Sequence, residues 1–138
     1  SAAAMTEFRD NSIILSKAKA KHSDVLDYVG EIYQPTMIAE YRKEQLLRES
    51  GKAIGIQAPL KEKLNKFPSL VVSALEHSPG ANLKSAKGTW WGALNAVTYV
   101  EDHLRESQTE GNALHSAWFG AAANRKSKAL DLAMQRAA

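Results

Sequence analysis

Glu101, Asp102 and His103 stand consecutively, two carboxylates beside an imidazole, and side chains of these types suit metal ligation or proton transfer. Successive residues of a helix point about 100° apart, however, so the three cannot converge on one atom. A metal would need a further ligand such as His115, and neither HxxxH nor HExxH spacing occurs. No metal site and no cofactor are therefore expected. Nucleophilic chemistry has no better footing. The chain has no cysteine, no GxSxG, no P-loop and no dinucleotide-binding glycine pattern, so no catalytic residue is assigned and a non-enzyme is expected.

Helical spacing makes a different group. At 100° per residue Trp91, Asn95, Thr98 and Asp102 fall within about 60° of one another, flanked by Arg105, with His103 on the opposite side near Tyr99. An aromatic beside an amide, a hydroxyl and a carboxylate suits a ligand or a base. The same set equally suits a buried polar network that fixes the register of a neighbouring helix, with Trp91 and Trp118 burying ring area beside it. On that second reading Asp102→Ala should cost on the order of 1 to 3 kcal/mol. Glu101 lies toward the core face, where Arg105, four residues on, is its expected partner unless the face emerges into solvent.

Charge supplies the second lead. The net charge is +3 and the pI 9.2, but the excess is concentrated. Residues 52–88 carry six basic and two acidic groups and residues 113–138 four and one, whereas 89–112 carry one and four. Lys84, Lys87, Arg125, Lys126, Lys128 and Arg136 are thus the candidate contacts to nucleic-acid phosphate. On the last helix Arg125 and Arg136 fall on the side of Trp118, an arrangement suited to a phosphate and a stacked base. The alternative is that these cations complement the end of a helix dipole and the tryptophan is core.

The elements that carry these residues read as helices throughout. A hydrophobic fraction of 44% with 24% charged is ordinary globular composition, and 138 residues suffice for one core. No apolar run approaches the ~20 residues of a membrane span, so a cytoplasmic protein without membrane contact is expected. Ser1–Met5 are set aside as a cloning remnant, leaving a single helical domain over 6–138. Spacing predicts one helix from Ser12 to Tyr33, stopped by Pro35, and a second from Thr36 to a stop at Gly51, with Ile38, Tyr41 and Leu46 inward. Residues 51–58 read as a loop. Pro59 and Pro68 each suit the first turn of a short helix, the latter ending at Ser78-Pro79-Gly80. Thr89 caps a helix from Trp90 to Arg105 whose core face is Trp90, Ala93, Leu94, Val97, Val100 and Leu104. After the polar stretch 106–112, a last helix runs from Ala113 almost to the end. No segment alternates at period two. The fold class expected is all-α, a compact bundle of four to six helices ending in an antiparallel helix pair.

One run of residues is specific enough to name relatives. Pro79-Gly80-Ala81-Asn82-Leu83, Gly88-Thr89-Trp90-Trp91-Gly92-Ala93-Leu94-Asn95-Ala96-Val97-Thr98, Asp102-His103 with Arg105, Ser116-Ala117-Trp118-Phe119-Gly120, and Lys126 with Lys128-Ala129-Leu130 together resemble the phage/plasmid-like protein family catalogued as domain of unknown function 932. The resemblance covers the last sixty residues closely. It implies a mobile-element origin and a chain that is the C-terminal helical part of a longer protein, and it assigns no activity. The family's shared polar positions fall on Asn95, Thr98, Asp102, His103, Arg105, Ser116, Lys126 and Lys128, while Glu101 departs from an apolar position. From this setting and the basic segments, the expected role is a non-catalytic module associated with single-stranded or duplex DNA in replication or recombination. The alternative is an interaction or homo-oligomerisation domain meeting its own copy or a phage or host protein, suggested by the long first helix and the small residues Gly120 to Ala123.

Overall fold

The computed structural model describes residues 1–51, 60–106 and 122–138, the side chains at 60–63, 104–106 and 122–123 excepted. Five helices make up these residues: α1 (Ala2–Lys17), α2 (His22–Glu49), α3 (Leu60–His77), α4 (Trp90–Glu106) and α5 (Ala122–Ala137). The fold is an all-α compact bundle, and among the described residues the only extended pairing is an isolated bridge between Lys19 and Thr89. No described helix is long and apolar enough to cross a membrane.

The single helix expected over Ser12–Tyr33 is two. The first takes in Ala2–Met5, with the Ser1 hydroxyl accepting from the Ala4 amide at 3.2 Å. Its chain then turns extended at Ala18 and stays so to Lys21. The reason is tertiary. The Ala20 amide donates to the Gly88 carbonyl at 2.9 Å and the Trp90 amide donates to the Ala18 carbonyl at 3.0 Å. Lys-Ala-Lys is locally a good helix former, but partners outside the segment satisfy its backbone groups at least as well. In these two helices Leu15, Val25, Tyr28 and Val29 are buried, whereas Ile14 and Leu26 are exposed.

Pro35 does not stop α2; the helix continues through it to Glu49 and ends at Gly51, whose φ of 85° needs a residue without a Cβ. A proline inside a helix leaves the carbonyl four residues earlier without its donor, here Glu31. That carbonyl accepts instead from Lys128 Nζ on α5, at 2.9 Å. Leu46, expected inward, lies on the exposed end of α2. Pro68 likewise sits inside one helix, α3, rather than opening a new one. Around it Phe67 stacks on Tyr33 of α2 at 6.4 Å, and Val71 and Ala74 enter the core. Pro59 lies outside the described residues.

The core is built around α4, which packs against each of the other four helices. Trp90, Ala93, Leu94, Val97 and Val100 are buried as its periodicity requires, and Ala96 joins them. Tyr28 is central: its ring meets Trp90 edge to face at 5.3 Å and its hydroxyl donates to the Ala129 carbonyl at 2.8 Å. Burial holds that hydroxyl far above the ordinary tyrosine range, the positive charge of Arg136 working weakly against it. Each such side chain contributes about 1.5–3 kcal/mol by leaving water. Ala129 and Ala133, one turn apart and fully buried, let α5 approach closely. α4 and α5 run antiparallel, since Glu101 near the end of one meets Arg125 near the start of the other, and Leu94 and Leu130 wall a common cleft.

Candidate nucleic-acid interface

The stripe Trp91, Asn95, Thr98, Asp102 does not form the shared buried network. Asn95 is exposed, Thr98 is half-buried with its hydroxyl donating to the Leu94 carbonyl of its own helix, and the Asp102 side chain is 52% exposed. Asp102 pairs with Lys126 of α5. The stripe fails as a network because the α4–α5 contact is centred on the small and apolar face, so these polar groups lie at its margin. Asp102→Ala is accordingly expected to lower stability by no more than about 1 kcal/mol in a thermal or urea melt, the range of an exposed pair. Trp91 is half-buried and meets the Phe8 ring of α1 edge-on at 5.8 Å. His103 and Tyr99 do lie together, their rings parallel within 10° at 5.7 Å. Trp118, Gly120 and Ala121 fall outside the described residues, as do the side chains of Arg105, Ala122 and Ala123.

Charge is buried elsewhere. Glu101 is 1% exposed and engages Arg125, itself 3% exposed, in a bidentate pair along one guanidinium edge: Nε to Oε1 at 2.5 Å and Nη2 to Oε2 at 3.0 Å. The alternative that Glu101 emerges into solvent is thus corrected, and so is the place of Arg125 among the phosphate contacts; the Arg105 side chain lies outside the described residues. Tyr33 lies against the same carboxylate. Its hydroxyl is pushed far above the usual range, first by burial and then by the charge of Glu101 and a hydrogen bond to it. The group is sealed from solvent, so its work is to join α2, α4 and α5. The spacing of 24 residues between Glu101 and Arg125 carries no local signal.

Two more cations of α5 are committed to the fold. Lys128 satisfies the carbonyl that Pro35 frees, and Arg136 Nη2 meets Glu31 Oε1 at 2.7 Å. Lys126 holds Asp102. Of the six basic residues singled out by composition, Lys128 is exposed but held by the Glu31 carbonyl, and Lys84 and Lys87 alone are exposed with neither a described ion pair nor a described side-chain hydrogen bond. They are not isolated. The bridge between Lys19 and Thr89 and the bond from Ala20 to Gly88 set Lys17, Lys19 and Lys21 beside the turn that carries Lys84 and Lys87. No acidic residue occurs between Asp10 and Asp24 or between Glu76 and Glu101, so the fold joins two acid-free stretches into one exposed lysine platform. By spacing alone Lys17, Lys19 and Lys21 would be the flanks of a helix, because nothing local reveals that the chain leaves the helix there.

The platform borders a cleft. Between the turn and α4, Ser78, Leu83, Ser85, Trp91 and Asn95 enclose about 160 Å³, and Lys84 stands between two of its lining residues. A second cleft of about 190 Å³ follows between α3 and α4, with His77, Tyr99 and His103 on its walls. Among the described residues no group of three or more His, Asp or Glu is placed to hold a metal ion. The chain matches no family model, no curated protein and no solved structure.

Proposed function

We propose that the chain is a non-catalytic DNA-associated module of a mobile-element protein, in which Lys17, Lys19, Lys21, Lys84 and Lys87 contact phosphate. The observation that carries this reading is the lysine platform, five exposed cations on two segments joined by backbone hydrogen bonds, with no described carboxylate paired to any of them. Such a surface attracts a polyanion from a distance and exchanges condensed counterions for its own charges. The mobile-element setting rests on the resemblance of residues 79–132.

An anisotropy titration with labelled DNA at low salt tests it. Lys19→Glu with Lys87→Glu, both surface changes, is expected to weaken binding more than tenfold and to reduce the slope of log K against log salt by about two units. No binding at tens of micromolar, or binding indifferent to the charge reversal, would overturn the reading.

A second reading has its own observation. Met5 and Phe8 on α1 are exposed, Phe8 by 65%, on a helix whose one buried residue is Leu15, which suits a protein partner or a second copy. Sedimentation at two concentrations separates this from a monomeric DNA binder.

A further inference from the structure

The two clefts beside α4 share Ala74 and Ser78 as walls and follow one another along that helix, and together they are treated as a groove from the Lys84 turn to Tyr99 and His103. From Trp91 to Tyr99 the groove follows α4 for about 12 Å, at 1.5 Å per residue. That is the length of roughly three to four stacked nucleotides at about 3.4 Å each. Its entrance is cationic and its middle offers the exposed Asn95 amide together with Ser78 and Ser85. At its far end stand two parallel rings, Tyr99 being 40% exposed and His103 exposed as well. The rings are parallel and offset, and both are exposed enough for a further planar group to stack on them.

We infer that the nucleic acid taken by this module is single-stranded, with phosphates on the lysine platform and one or more unstacked bases in the groove against the Tyr99 and His103 rings. The inference rests on the reading of the platform as a phosphate contact and adds the strand class. A duplex keeps its base faces inside the stack, so it meets the lysines and nothing else here. A single strand presents a π-face at every base, and stacking on an aromatic side chain is indifferent to sequence. Asn95 then has donor and acceptor to offer a base edge.

The test compares a labelled oligothymidylate of about twelve nucleotides with a labelled duplex of similar length, within the site sizes of about 4–16 nucleotides that such grooves cover. The wild-type chain is expected to favour the single strand. Tyr99→Ala, a surface change whose fold is checked by its melt, should weaken oligothymidylate binding roughly five- to a hundredfold. It should leave duplex binding unchanged, and Tyr99→Phe should retain the wild-type affinity. Equal wild-type affinity for the two probes overturns the inference, as does a Tyr99→Ala chain that binds oligothymidylate as before. If Lys19→Glu with Lys87→Glu removes binding while Tyr99→Ala does not alter it, the groove falls and the phosphate platform stands. If the wild-type chain binds neither probe, both fall.

Discussion

Glu101→Ala is expected to lower the stability of the domain by about 3–5 kcal/mol in urea or thermal unfolding, the largest single-residue effect anticipated for this chain. The carboxylate satisfies two guanidinium donors of Arg125 in a site from which water is excluded, and Tyr33 lies against it. Removing it leaves a cation buried without its counter-charge, which costs far more than the pair contributes relative to an apolar alternative. Arg125→Ala should be comparably severe. The paired change Glu101→Leu with Arg125→Met, which removes both charges and keeps the volume, is expected to recover most or all of the loss, because neither desolvation penalty remains. A double variant as unstable as either single one would mean that the ion pair itself, rather than the orphaned charge, sets the stability. A Glu101→Ala loss below about 1 kcal/mol would place the carboxylate in water.

Gly92→Ala should also destabilise, and here the sign is diagnostic. On an exposed helix the change gains about 1 kcal/mol, since alanine forms helix better than glycine. In α4 a Cβ at this position would lie 1.9 Å from the Ala86 carbonyl oxygen and 2.8 Å from its carbon. The obstacle is backbone, and that oxygen already accepts from the Thr89 amide at 3.2 Å and the Thr89 hydroxyl at 3.0 Å, so it cannot retreat without opening the cap of α4. A net loss on the order of 1–3 kcal/mol is expected, as for overpacking elsewhere. Because the displaced turn carries Lys84 and Lys87, the proposed DNA binding should weaken together with the fall in melting temperature. A stabilised or neutral Gly92→Ala would show that the turn does not rest on α4.

The core face of α4 and the turn at Ser78-Pro79-Gly80 were legible in the sequence because each is decided within a few residues. Periodicity states which side of a helix is apolar, and Thr89 caps through its own hydroxyl, which accepts from the Gly92 amide at 3.2 Å. Tyr99 and His103 meet for the same reason, being one turn apart. The absence of period-two alternation was likewise enough for the all-α class.

Local rules gave the wrong answer wherever a distant segment supplied a better partner. Proline predicts a helix end from a missing donor, but at Pro35 the freed carbonyl is satisfied by Lys128, 97 residues along the chain from Glu31. Lys19 and Ala20 belong by propensity to a helix, yet Gly88 and Thr89 draw them out of it. Composition marked Arg125, Lys126, Lys128 and Arg136 as a basic surface, whereas the bundle turns all four onto groups of α2 and α4. Sequence alone settled which face of α4 is apolar and which residues are charged. The tertiary structure decided which charges find each other, because pairing depends on distances between elements that no local period encodes, and the charges it left unpaired now form the exposed platform.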